Sequence, residues 1–117
     1  MSEIQRFESN ERLSRVVKHA GVVYVAGVTS SDRAADIKVQ TRDTLKKIDG
    51  YLASVGTDKS RLLTVQIWLK DIDRDFGGMN EVWNEWADKA NMPTRATCEA
   101  KLAAPELLVE IIVSAAA

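Results

Sequence analysis

Two hydrophobic periods alternate along the chain and divide it into strand and helix segments. Leu13–His19 and Val22-Val23-Tyr24-Val25 are rich in β-branched and aromatic residues, with Lys18-His19-Ala20-Gly21 as the turn between them. They predict a hairpin that closes on Ala26-Gly27, and Ile4–Glu8 offers an additional short edge strand. The period then changes. Ile37, Thr41, Leu45, Ile48, Leu52 and Val55 recur at steps of three and four, the apolar stripe of a helix. Asp36 is placed to cap its start, and Gly56 sits where a left-handed residue ends it. Arg61–Lys70 returns to alternation, with Leu63, Val65, Ile67 and Leu69 on one face and Leu62, Thr64, Gln66 and Trp68 on the other. Phe76, Met79, Val82, Trp83 and Trp86 mark a second helix, its first turn weakened by Gly77-Gly78. Pro93 ends the next connection. Two strands, Thr94–Leu102 and Leu107–Ala115, close the chain across Ala103-Ala104-Pro105-Glu106.

The order β-β-(β)-α-β-α-β-β predicts an α+β domain, one sheet with both helices on one face. The other sheet face carries Leu62, Trp68, Leu108 and Ile112, too apolar to face water comfortably. Such a face predicts a partner surface, most simply a second copy of the same chain, with loops of the same chain as the alternative cover. At 117 residues the chain has room for one domain, 1–117, with one core. A domain of this size buries only about two-thirds of its unfolded surface, so packing between copies adds stability.

Composition narrows the partners. Sixteen basic residues stand against seventeen acidic, for a net charge of −1, and the two signs are interleaved. No basic stripe that would neutralise nucleic-acid phosphates can be read. The longest apolar runs, Gly21–Val28 and Leu107–Val113, fall well short of the ~20 residues of a spanning helix, so no membrane partner is expected. The opening Met-Ser-Glu-Ile-Gln-Arg lacks the apolar centre of a secretory signal, and one cysteine, Cys98, excludes an internal disulfide. The expectation is a cytoplasmic protein.

Most catalytic signatures are missing. His19 is the single histidine, read as a surface residue in a turn, with no companion at ligand spacing and hence no metal site. There is no Gly-rich phosphate loop and no G-x-S-x-G elbow. Cys98, alone among strand residues, reads as a small buried hydrophobe. Two charges stand out. Arg95 opens a strand on which Arg95, Thr97 and Glu99 share one face and Ala96, Cys98 and Ala100 the other. Glu110 lies inside Leu107-Leu108-Val109-Glu110-Ile111-Ile112-Val113, where a carboxylate is expensive unless paired, hydrogen-bonded or wet. Either alone reads as an edge or solvent-facing charge. Together, on the last two strands and beside a predicted interface, they mark a site, one suited to a small anionic metabolite.

The residues also match a family pattern over almost the whole chain. Val22-Val23-Tyr24-Val25-Ala26-Gly27, Gln40-Thr41 with Leu45 and Ile48-Asp49, and Gly56 with Ser60-Arg61-Leu62-Leu63 come first. Asp71, Phe76 with Met79-Asn80-Glu81-Val82-Trp83, Pro93-Thr94-Arg95-Ala96 and Val109-Glu110-Ile111 complete the set. In this order the pieces resemble the Rid family (RidA/YjgF, reactive intermediate deaminases). The resemblance implies a chorismate-mutase-like fold with one mixed sheet, homotrimers, and clefts between subunits. It implies hydrolysis of 2-imino acids, tautomers of 2-aminoacrylate-type enamines, to 2-oxo acids and ammonia without metal or organic cofactor, a form of metabolite damage control. By the same resemblance Arg95 grips the substrate carboxylate, and Glu110 orients the attacking water or shuttles its proton. Gly27 lets backbone approach the ligand, and Asn80 and the backbone at Ala96-Thr97 line the pocket. The chain departs from the family in having Thr97 where a cysteine is common, Ala26 where a serine often precedes the glycine, and Leu13 at a tyrosine position. Those changes leave the carboxylate anchor intact and bear on substrate range and rate. Two other functions stay open: a non-enzymatic sensor of 2-oxo or amino acids using the same cleft, and the RNA cleavage or translation inhibition attributed to some relatives, against which the balanced charge argues.

Overall fold

In the computed structural model, which describes residues 3–117, six strands and two helices form an α+β unit. The strands are β1 (Gln5–Ser9), β2 (Ser14–His19), β3 (Val22–Thr29), β4 (Leu62–Leu69), β5 (Thr94–Glu99) and β6 (Val109–Ala116); the helices are α1 (Ile37–Ser54) and α2 (Ile72–Trp86). They make one mixed sheet in the order β1-β2-β3-β6-β4-β5, antiparallel throughout except for the parallel β4–β5 pair. The last strand therefore does not pair with the one before it. It slots between β3 and β4.

Local chemistry explains the element ends. Ala20 and Gly21 take φ of 51° and 79°, the left-handed pair that turns β2 into β3 in two residues. The Asp36 side chain accepts from the Val39 N–H at 3.0 Å, and Gly56, with φ 81°, follows the last turn of α1. Helix α2 starts four residues before Phe76 because Asp71 caps it, accepting from the Arg74 N–H, while the Glu99 carboxylate accepts from the Ile72 N–H. Asp73 and Asp75 in its first turn suit the positive end of the helix dipole. Gly77-Gly78 thus lies in mid-helix rather than weakening the first turn. At Gly78 a Cβ would sit 2.8 Å from Ile37 Cγ2, so the glycine lets α2 approach the start of α1.

Both helices cover one sheet face. Leu45, Ile48 and Leu52 of α1 and Met79, Val82 and Trp83 of α2 pack on Val23, Val25, Val65, Ile67, Val109, Ile111 and Val113. Each large apolar side chain buried there contributes roughly 1.5–3 kcal/mol against exposure. The Gln40 amide, buried in the same layer, donates to the Glu106 carbonyl at 3.0 Å and accepts from the Leu108 N–H at 2.9 Å, which fixes the chain as it enters β6.

Several expectations need correction. The register of β4 against β6 shifts between Leu62 and Thr64, so Leu62 turns into the core at 7% exposure and Leu63 turns out at 43%. One extra residue moves the strand start to the opposite face, which simple alternation cannot anticipate. Strand β5 ends at Glu99 rather than Leu102, and β6 begins at Val109 rather than Leu107. Cys98 is exposed rather than buried, because its edge strand presents it to the face without helices. His19 is half-buried, not a free surface residue; it closes the hairpin opposite Val22.

Candidate functional site

Arg95 is held at the edge of the sheet on the helix-covered side. It pairs across β4 with Val65, a core residue, so its side chain shares that face. There its Nη1 donates to Asn80 Oδ1 of α2 at 2.7 Å, and its guanidinium carbon lies 5.6 Å from the Trp83 ring centroid. Met79, Val82 and Trp83 anchor this stretch of α2 in the core, and Asn80 between them is thereby aimed at the strand. The cation is half-buried, and desolvation lowers its pKa from the ordinary arginine value with no carboxylate opposing the loss. A guanidinium remains protonated regardless. Its partners are a neutral amide and a π-face, so its charge is left for an anion. Thr97, two residues on and on the same face, has a buried Oγ1 with no hydrogen-bond partner. Ala96 between them points to the opposite, helix-free face and is exposed.

Glu110 occupies the other side of the sheet. It pairs with Trp68 on β4 and Thr29 on β3, and the alternating burial of β6 puts Val109, Ile111 and Val113 in the core and Glu110 and Ile112 on the helix-free face. Burial pushes its carboxyl pKa above the usual carboxylate range, and the positive charge of Arg15 works against that rise. Gly27 sits in the irregularity of β3 between Val25 and Val28; a Cβ there would lie 2.0 Å from Glu110 Oε2. The close approach that glycine permits is thus to the carboxylate of this chain's own Glu110.

Within one chain, then, the structure does not bring Arg95 and Glu110 together. They face opposite sides of the sheet, with β4 between their strands. Arg95, Asn80 and Thr97 form one half-site, Gly27 and Glu110 another, and Ala96 belongs by exposure to the open face. Two shallow cavities lie elsewhere. One of about 270 Å³ runs between the helices past Arg42, Asp49, Lys59 and Trp86, and one of about 240 Å³ lies on the open face against Tyr24, Thr64, Gln66 and Ile112. Among the described residues no three His, Cys, Asp or Glu side chains are grouped as metal ligands, and no helix is long and apolar enough to cross a membrane.

Sequence reasoning missed two participants. Trp83 reads from its spacing as a core residue, yet its ring also supports the Arg95 cation. Arg15 draws no notice within the strand Leu13–His19, yet its Nη2 donates to the Gly27 carbonyl at 3.1 Å.

Comparison with known proteins places this arrangement. The family model described as Endoribonuclease L-PSP matches residues 3–117. A RutC family protein of Haemophilus ducreyi is 41% identical over 113 residues, covering 97% of this chain and 96% of the relative. The crystal structure of a member of the YjgF protein family from Neisseria meningitidis superposes with a TM-score of 0.94 at 36% identity, covering 97% and 94% of the two chains. A member of the Rid protein family from Yersinia pestis, described as of unknown function, gives 0.83 at 27% identity over 93% and 90%.

Proposed function

The chain belongs to the Endoribonuclease L-PSP family, the family of the RutC, YjgF and Rid proteins, and from that premise we propose that it hydrolyses 2-imino acids to 2-oxo acids and ammonia at sites between copies in a homotrimer. The observation that carries the reading is the half-buried Arg95 guanidinium, held by Asn80 and Trp83 and left without a carboxylate partner. A planar, pre-positioned fork of this kind suits the carboxylate of a small metabolite. Since Arg95 and Glu110 face opposite sides of one sheet, a site that uses both takes Arg95 from one copy and Glu110 from its neighbour.

In this scheme the substrate carboxylate lies on Arg95 and fixes the imine carbon. Glu110, poorly hydrated and with its pKa raised by burial, is suited to take and give protons. It takes a proton from water as the oxygen attacks the C=N carbon. It passes that proton to the nitrogen to give a carbinolamine, then takes the hydroxyl proton and delivers it to the same nitrogen as the C=O bond forms and the C–N bond breaks, so that imino acid and water leave as 2-oxo acid and ammonia. Imines hydrolyse readily, and orientation of water against a fixed carbon supplies much of the acceleration.

The test couples the purified protein to a dehydratase that generates 2-aminoacrylate and follows 2-oxo-acid release. Wild type accelerates release. Arg95→Ala lowers the rate by about a hundredfold or more, since a charged hydrogen-bonding partner is lost in a desolvated site. Undiminished activity in a folded, trimeric Arg95→Ala protein would sink the proposal. Stabilisation by pyruvate or a similar 2-oxo acid without any turnover would favour the sensor reading, which shares Arg95.

A further inference from the structure

Arg15 lies outside every role given so far, yet its surroundings are built. It sits on β2 next to the fully buried Val16, and its guanidinium carbon is 5.2 Å from the Tyr51 ring centroid on α1. Its Nη2 donates to the Gly27 carbonyl at 3.1 Å, and its Nε is buried with no hydrogen-bond partner. Holding a long cation in this way costs side-chain entropy and desolvation, which one neutral carbonyl offsets only in part. The return lies on the far side of Gly27, where the Cα packs directly under the Glu110 carboxylate. A single guanidinium therefore ties β2, the irregular stretch of β3 and α1 together beneath Glu110.

We infer that Arg15 is a positioning residue for Glu110: it clamps the Gly27 carbonyl, keeps the β3 irregularity open for the carboxylate, and supplies the positive charge that faces Glu110 from within the same chain. Among the described residues, Arg15 is the one charged group whose attraction opposes the burial of Glu110, and it acts through space rather than by a hydrogen bond. Glu110 is flanked otherwise by Thr29 of β3 and Trp68 of β4, which carry no charge. Removing the Arg15 charge leaves desolvation unopposed, so Glu110 takes up its proton at higher pH. The catalytic part of this inference rests on the imine-hydrolysis reading; the electrostatic part does not.

The experiment has two arms. In the first, carboxyl carbon NMR follows the titration of Glu110, its signal assigned by its loss in Glu110→Gln, in wild type, Arg15→Gln and Arg15→Lys. The Glu110 midpoint moves up in Arg15→Gln and stays near the wild-type value in Arg15→Lys, which keeps the charge. In the second arm the pH dependence of kcat for imine hydrolysis is compared in the same proteins. Arg15→Gln shifts the acidic limb to higher pH and lowers kcat by roughly tenfold, with KM little changed because Arg95 is untouched. Arg15→Lys restores most of the rate. An unmoved Glu110 midpoint in folded Arg15→Gln overturns the inference. Absence of turnover in wild type overturns the function reading alone, since the NMR arm still decides the role of Arg15. Should Arg15→Gln fail to fold, Tyr51→Leu decides. Freeing the guanidinium from the ring moves the midpoint up, and an unmoved midpoint is again fatal.

Discussion

The two half-sites solve opposite problems. Arg95 stands on an edge strand, on the face the helices cover, and is braced by an amide and an indole that add no charge. Glu110 stands in a central strand, on the face without helices, and is braced by backbone proximity at Gly27 and by a cation acting at a distance. The arginine is half-buried and lacks an opposing carboxylate; the carboxyl is pushed by burial above the usual carboxylate range. An ion pair between them would neutralise both properties. Separation by the thickness of the sheet prevents that pair within one chain, and in the proposed function the two are joined only between copies.

The largest effect is expected when one half-site is damaged per copy. Arg95→Ala and Glu110→Gln proteins, each inactive alone, are mixed under conditions that exchange subunits. If a working site draws Arg95 from one copy and Glu110 from the next, random mixing restores intact pairs and about a quarter of the wild-type rate, since each half-site is sound half the time. Failure to recover activity, with exchange shown by native mass spectrometry, would place both residues of a working site in one copy and refute the division.

Smaller effects separate the two braces. Gly27→Ala introduces a Cβ that must displace the Glu110 carboxylate from a position 2.0 Å away. The expected outcome is a fall in kcat on the order of tenfold to a hundredfold, from misplacement of the proton-moving group. The substrate KM changes little, because the other half-site is intact. Asn80→Ala does the converse. It removes the acceptor that fixes Arg95 Nη1, raising KM for the imino acid by roughly tenfold, in keeping with a net ~1.5 kcal/mol for a hydrogen bond to a charged group. Steady-state kinetics on the two variants, read as separate kcat and KM, reports which brace serves which step. If both variants lose kcat alone, the assignment of Arg95 to binding is wrong.

How much of this the sequence reveals follows from the range of the forces involved. Short-range features are legible: the Ala20-Gly21 turn, the Asp36 cap and the 3.6-residue stripe of α1 are dictated within a few residues. The alternation that puts Arg95 and Thr97 on one face of β5 and Ala96 and Cys98 on the other is local too. Strand order is not. Chain order puts β6 after β5, but β6 enters between β3 and β4, hydrogen-bonded to both and covered on its core face by the helices, and that choice depends on packing across the whole sheet. Consequently the sequence suggests that Arg95 and Glu110 are neighbours on the last two strands, whereas they lie on opposite faces. The shift at Leu62–Thr64 is hidden for a similar reason, since Leu62 and Leu63 are equally apolar and only the register with Ala115 and Ser114 decides which turns inward. Arg15 has no local signature at all; its meaning comes from Gly27 and Tyr51, 12 and 36 positions away.

The smallest expected effect concerns stability, and its sign distinguishes a carboxyl held for chemistry from one held for structure. Burial raises the folded-state pKa of Glu110 above its unfolded value, so the folded protein binds this proton more tightly than the unfolded chain does. The stabilisation from that tighter binding is fully present below the unfolded pKa, near the ordinary ~4.3 of glutamate, and is lost as pH rises through the raised folded value. Glu110→Gln carries a neutral amide of similar shape at every pH. Urea unfolding at pH 4 should therefore find wild type and Glu110→Gln close together, and at pH 7.5 the variant should be the more stable, with the gap opening across the Glu110 titration. A carboxylate that contributed to the fold by pairing would give the reverse, a variant that loses stability as pH rises. That reverse result would mean that Glu110 is anchored by a cation strongly enough to outweigh its burial, and the contrast with the unpaired Arg95 would disappear.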